Sequence, residues 1–235
     1  MQNTIDKPDK PAFLKLYDSS IGKKLITGIT GLGLSLFVFI HMVGNLLMFV
    51  GHDAYNTYAY QLERLWPLLW TVEFLLLTIA LIHATTGIQI FWRRLQARPV
   101  PYRTYASKGA PSLQSLSSRT MIVTGIVLGV FLVTHLLTFK FGTRYGTELA
   151  GQEVRDLARL VVEKFQQPAY TLSYTSVMVL LGFHLRHGLW SALQSLGAMA
   201  KSLRLLVYGA SLFSAIAIAT GFLILPLAIY FGFVS

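Results

Sequence analysis

The chain has 235 residues, 54% of them hydrophobic and only 13% charged, about half the charged share of a soluble globular protein. With a mean hydropathy of +0.55, this composition excludes a disordered chain and argues against a water-soluble one. Cysteine is absent, so disulfides, thiolate zinc sites and cysteine-bound iron–sulfur clusters are excluded, and the net charge of +10 reads as basic loops on one side of a bilayer rather than as a nucleic-acid footprint.

The N-terminal residues are polar and mixed in charge, and no cleavage site follows the first apolar run, so no removable signal peptide is expected. Five stretches are long enough to cross a hydrocarbon core, which takes ~20 helical residues. They run Leu25–Val50, Trp66–Trp92, Met121–Phe141, Tyr170–Trp190 and Leu205–Phe233. The expectation is therefore an all-α membrane protein, a single domain over residues 1–235 with five transmembrane helices. The fourth stretch carries Thr171, Ser173, Thr175, Ser176, His184, Arg186 and His187, and polar groups are costly in lipid, so it should face the protein interior.

Loop charges set the expected orientation. Lys7, Lys10, Lys15, Lys23 and Lys24 precede the first span. Arg93, Arg94, Arg98, Arg103, Lys108 and Arg119 lie between the second and third with no acid among them, and Lys201 and Arg204 lie between the fourth and fifth. The remaining loops are nearly balanced: Asp53, Glu63 and Arg64 in one, five bases against four acids from Lys140 to Lys164 in the other. The N-terminus is then cytoplasmic and the C-terminus outside. Pro99, Pro101 and Pro111 mark the inner loop as extended. In the second outer loop, EVRDLARLVVEKF places Val154, Leu157, Leu160, Val161 and Phe165 on one face, which predicts an amphipathic helix lying on the outer surface.

Each of the first four spans holds a histidine: His41, His83, His135 and His184. His41 and His135 each follow their inner boundary by 16 residues, which places them roughly 24 Å from the inner surface, and His83, nine residues before Trp92, lies roughly 14 Å from it. His184 falls toward the inside as well, so the four form two layers of two. The local sequence sorts the same way. TG-x9-H occurs at Thr30–Gly31 before His41 and at Thr124–Gly125 before His135; H-x3-G occurs as His83–Gly87 and His184–Gly188. Gly31, Gly87, Gly125 and Gly188 would leave room for a flat macrocycle. Two histidines facing each other across a bundle is the ligation of a six-coordinate haem, and two such pairs stacked across a membrane make an electron path. Zinc or di-iron would need more carboxylates than the spans supply, since they hold only Glu73. His52 reads as a solvated loop residue. His187 shares a helix face with His184, so on spacing alone either could be the ligand.

These residues resemble a known family. KKLITGITGLGLSLFVFIHMVGNLLMF looks like the first helix of the cytochrome b anchor of succinate dehydrogenases and fumarate reductases (succinate:quinone oxidoreductases), in the single-polypeptide, five-helix, two-haem form. LIHATTGIQIFWRRLQARP, SSRTMIVTGIVLGVFLVTHLLTF and GFHLRHGLWSALQSLG resemble its second, third and fourth helices, so the resemblance covers Ser19 to about Gly197. It implies a four-helix di-haem bundle with two haem b: an inner one on His83 and His184, an outer one on His41 and His135. Its fourth-helix pattern aligns the ligand to His184 rather than His187. It further implies a flavoprotein subunit with covalent FAD and an iron–sulfur subunit on the cytoplasmic side of a prokaryotic inner membrane. Electrons would pass between that subunit and a membrane quinone, in either direction, and succinate would never touch this chain. The basic inner loop would contact haem propionates or the iron–sulfur subunit.

The chain departs from the family at Gly182, where some members carry a glutamate proposed to return protons across the membrane. Glu73, roughly 10 Å into the second span from its outer end, is expected instead as the proton-handling group of an outer quinone site. The alternatives are a di-haem subunit of a nitrate reductase or hydrogenase, and a haem-free anchor whose histidines relay protons.

Overall fold

The computed structural model describes residues 11–97, 116–198, 200 and 202–234. The expectations placed on Lys7, Lys10, Arg98, Pro99, Pro101, Arg103, Lys108, Pro111 and Lys201 fall outside those residues.

After a short α1 (Ala12–Asp18), Ser19 caps α2 (Ser20–Asn45), its hydroxyl accepting from the Gly22 amide at 2.9 Å. A 3₁₀ turn, Leu46–Phe49, extends α2, and Gly51 at φ 141° reverses the chain into α3 (His52–Arg64). Both α4 (Trp66–Gln96) and α8 (Pro168–Ser195) open with proline in the first turn, where its missing N–H costs nothing. The small α5 (Leu116–Arg119) leads into α6 (Met121–His135), which ends in a single π turn, Leu136–Lys140, directly after its histidine. A hairpin, β1 (Gly146–Leu149) and β2 (Gln152–Arg155), turns at Ala150 and Gly151, both with positive φ. Helix α7 (Leu157–Phe165) follows, then α8, and α9 (Arg204–Tyr230) closes the chain.

Among the described residues, four helices are long and apolar enough to cross a membrane: Ser20–Phe49, Trp66–Gln96, Met121–Lys140 and Arg204–Tyr230. Their outward faces carry large exposed apolar side chains, among them Leu36, Phe74, Val130 and Phe213. Such faces are liabilities in water and ordinary against lipid. The sequence also predicts a span, the fourth of five, over Tyr170–Trp190. α8 covers it with 28 residues, but its hydroxyls, histidines and arginine keep it short of the apolarity of the other four. It is an interior helix, packed against α2, α6 and α9 along Thr171, Tyr174, Met178, Leu181 and Leu185.

One end of the bundle, taken here as the top, carries a cap built from α3, the hairpin and α7. Asn56, 2% exposed, stitches it together: its amide donates to Asp156 Oδ1 and accepts from the Ala158 N–H, both at 2.9 Å. Arg155 Nη2 donates to the Phe139 carbonyl of the π turn at 2.6 Å, tying the cap to α6. This corrects the surface-helix expectation. Val154 belongs to β2, α7 begins after the Asp156 cap, Leu160 is fully buried, and Val161 and Phe165 pack with Met48, Tyr55, Tyr174 and Ile229 instead of lying on lipid. His52, expected as a solvated loop residue, starts α3 with a buried Nε2 that has no hydrogen-bond partner among the described residues.

Candidate functional site

The four span histidines meet in two pairs. His41 of α2 faces His135 of α6, with ring centres 5.8 Å apart and planes at 88°. His83 of α4 faces His184 of α8 at 6.3 Å and 66°. These are the pairings expected from the repeated motifs, and it is His184, not His187, whose ring meets His83. Two imidazoles bound opposite one another on a metal, with metal–nitrogen bonds of about 2 Å, have ring centres roughly 6 Å apart. Both pairs fall at that spacing.

The lower pair is oriented from behind. His83 Nδ1 lies 3.2 Å from the Thr27 carbonyl and 3.2 Å from Thr30 Oγ1. A carbonyl can only accept, so the His83 proton sits on Nδ1 and the Nε2 lone pair is left for a metal. His184 is held alike: its Nδ1 is 3.1 Å from Thr124 Oγ1, whose own hydrogen is directed to the Thr120 and Met121 carbonyls at 3.1 Å. The glycines beside these threonines make the approach possible. A Cβ on Gly31 would stand 3.0 Å from His83 Cε1, and one on Gly125 would stand 3.4 Å from His184 Cε1. Gly87 and Gly188, one turn past the lower histidines, have nothing within 4 Å of where a Cβ would project, so the backbone there borders open space a flat group could use.

The TG-x9-H motif therefore serves both layers. Its threonine and glycine support the lower pair on a neighbouring helix, and its histidine, ten residues beyond the glycine and about 15 Å along the axis, joins the upper pair. Phe37 stacks on His41 at 5.5 Å and Phe131 on His135 at 5.6 Å, each one turn before its histidine. The complete repeat is TG-x5-F-x3-H in both α2 and α6. The phenylalanines were readable at that spacing and were missed in the sequence reading.

The upper pair has different surroundings. Asn45 Nδ2 lies 3.3 Å from His41 Nε2 and donates to the His41 carbonyl at 2.8 Å, while Tyr55 of the cap donates to Asn45 Oδ1 at 3.1 Å. A metal at His41 Nε2 would take the position Asn45 now fills. His135 Nδ1 is buried without a hydrogen-bond partner among the described residues. The Tyr55 hydroxyl is pushed well above its ordinary pKa, first by burial and then by Tyr58, with Arg155 opposing, so it stays a neutral donor.

Glu73, expected near the outer haem layer, does not stand alone. It forms an ion pair with Lys140, the last residue of the π turn after His135, and the ammonium sits 5.3 Å from the Trp70 ring centre. Gly182 is a helix contact: a Cβ there would be 3.1 Å from Ala219 Cβ of α9, so the position has no room for a glutamate without parting α8 from α9. Among the described residues no three His, Asp or Glu converge on a common point, so the donor set is two imidazoles per layer. This suits a planar cofactor that brings its own equatorial ligands, as haem does.

No family model, curated protein or solved structure matches the chain.

Proposed function

We propose that this protein is a membrane cytochrome b that holds two haem b groups, one between His83 and His184 and one between His41 and His135, and carries electrons across the bilayer. The observation that supports it is the double pairing of imidazoles at 6.3 and 5.8 Å, each pair drawn from two different helices. Haem b, when bound, supplies reversible one-electron chemistry at its iron. The chain's part is to set depth, orientation and dryness. Thr27, Thr30 and Thr124 hold the lower imidazoles in the Nδ1–H tautomer, Phe37 and Phe131 fix the upper rings, and the cap seals the top from water.

In its finer form the proposal is the five-helix anchor subunit of a succinate:quinone oxidoreductase in a prokaryotic inner membrane, with α8 completing the set of five spans and the N-terminus cytoplasmic. A flavoprotein with FAD and an iron–sulfur subunit would dock at the lower end, and quinone would react near the upper pair. The motif resemblance and the loop charges support this assignment. The test is a pyridine haemochrome assay with a reduced-minus-oxidised spectrum on protein purified from membranes. Two b haems per chain, together with co-purified covalent flavin, are expected. A preparation with no b-type spectrum overturns the cytochrome reading, and molybdenum or nickel in place of flavin overturns the finer assignment.

A further inference from the structure

Arg155 ends β2, and its guanidinium reaches out of the cap to α6, where Nη2 donates to the Phe139 carbonyl at 2.6 Å. Phe139 belongs to the π turn that follows His135 without a break, and its ring centre lies 5.5 Å from that of the His135 imidazole. The last four carbonyls of a helix have no partner within it, and together they form the negative end of its dipole. That end of α6 lies directly after His135, so Arg155 caps the helix that presents one ligand of the upper pair. Its charge is otherwise unspent. Lys140 is paired with Glu73, and Arg144 with Glu63 at 3.6 Å. Among the described residues Arg155 forms no ion pair, and its Nε is buried without a hydrogen-bond partner.

A partly buried cation without a counter-ion is costly unless oriented dipoles meet it. Here the carbonyl end of α6 meets it, and a cation at a helix C-terminus is stabilising. We infer that Arg155 is a positioning residue of the upper pair. Its hydrogen bond fixes the π turn and with it the His135 ring, and its charge offsets the negative end of α6, which favours the reduced form of a haem held there. This rests on the cytochrome reading above. Reduction removes one positive charge from the iron, so a nearby cation raises the potential, and it does so more strongly where water is excluded. The lower pair takes its support from Thr27, Thr30 and Thr124 and lies about 15 Å further down the bundle, so the effect belongs to the upper layer alone.

The test compares Arg155→Met, Arg155→Gln and Arg155→Lys with the wild type, each as the whole complex purified from membranes. Methionine removes both donor and charge, glutamine keeps a donor without the charge, and lysine keeps both. The readouts are a potentiometric titration of each haem component and its low-spin ferric EPR signal, which reports the angle between the two imidazole planes, 88° at the upper pair. In Arg155→Met the upper haem's reduced-to-oxidised ratio at a fixed potential should fall roughly tenfold, a midpoint about 59 mV lower for one electron, and its EPR signal should move. In Arg155→Gln the midpoint should fall while the signal stays. Arg155→Lys should restore both, and the lower haem should be unmoved in all three. Where Arg155→Met does not assemble, Arg155→Gln alone decides. An unchanged upper midpoint in Arg155→Gln overturns the inference, and so does an equal shift or loss of both haems, the mark of an arginine that only braces the cap. Absence of haem from the wild type is a different failure, that of the cytochrome reading.

Discussion

Gly31 of α2 lies so close to His83 of α4 that a Cβ at position 31 would stand 3.0 Å from the imidazole Cε1, while the matching contact of Gly125 with His184 is looser at 3.4 Å. The difference makes the two glycines unequal. Alanine favours a helix by roughly 1 kcal/mol over glycine, so any damage from substitution is a packing effect at the ring. Gly31→Ala is expected to displace the His83 ring and, on the proposed function, to shift or remove the absorption band of the haem proposed at that layer. Gly125→Ala should leave that band near wild type. Equal spectra for the two variants would contradict the contact geometry.

The threonines behind the lower pair are also unequal. His83 keeps the Thr27 carbonyl if the Thr30 hydroxyl is removed, whereas Thr124 is the acceptor seen at His184 Nδ1. Leaving a buried N–H unsatisfied costs about 1–3 kcal/mol. Thr124→Val should therefore weaken retention of the lower haem more than Thr30→Val does, measured as haem remaining after graded heating.

The histidine layers are legible in the sequence because a helix rises by a fixed step, so residue number converts directly into depth, and the duplicated TG-x9-H sorts the pairs. What the sequence reading could not show is how one motif serves two layers, since Thr30 and His83 are joined only by the packing of α2 on α4. The polarity of α8 did forecast an interior helix, and that same polarity keeps it below the apolarity of the other four. The cap was misread for a physical reason. The Val154–Phe165 pattern suits a helix face, but the positive-φ turn at Ala150 and Gly151 pairs Val154 with Thr147 in a hairpin, and Asp156 starts the helix only afterwards. The partner of Glu73 lies 67 residues away on a π turn that nothing in the local pattern announces.

The cap contains a pH-sensitive contact outside the membrane. Tyr145 donates to Glu163 Oε2, and this hydrogen bond, more than any other cause, holds the Glu163 carboxyl below its ordinary value of 4.5. A depressed carboxyl stabilises the fold above the unfolded pKa, and that contribution is lost as pH falls through the folded one. Protection of α7 and hairpin amides from hydrogen exchange should thus decline as pH drops below about 4.5. Tyr145→Phe should be less protected at neutral pH and lose less on acidification. Parallel pH profiles for the two proteins would remove Tyr145 as the cause.

Glu73 and Lys140 admit two roles that one pair of variants separates. The two side chains are about equally accessible, at 30% and 33%, and their ion pair bridges α4 to the turn that follows His135. If the pair only braces those elements, Glu73→Gln harms by stranding the Lys140 charge, and removing that charge as well restores function, since an apolar replacement of a whole ion pair is often neutral. If Glu73 exchanges protons with quinone near the proposed upper haem, the carboxylate itself is needed whether or not Lys140 stands beside it. The proposed function favours the second role. Glu73→Gln should retain both haems and lower turnover with a soluble quinone by roughly the 10²-fold typical of losing a general base. Glu73→Gln combined with Lys140→Met should remain equally slow. Recovery of turnover in the double variant would assign the pair to structure and take Glu73 out of the quinone chemistry.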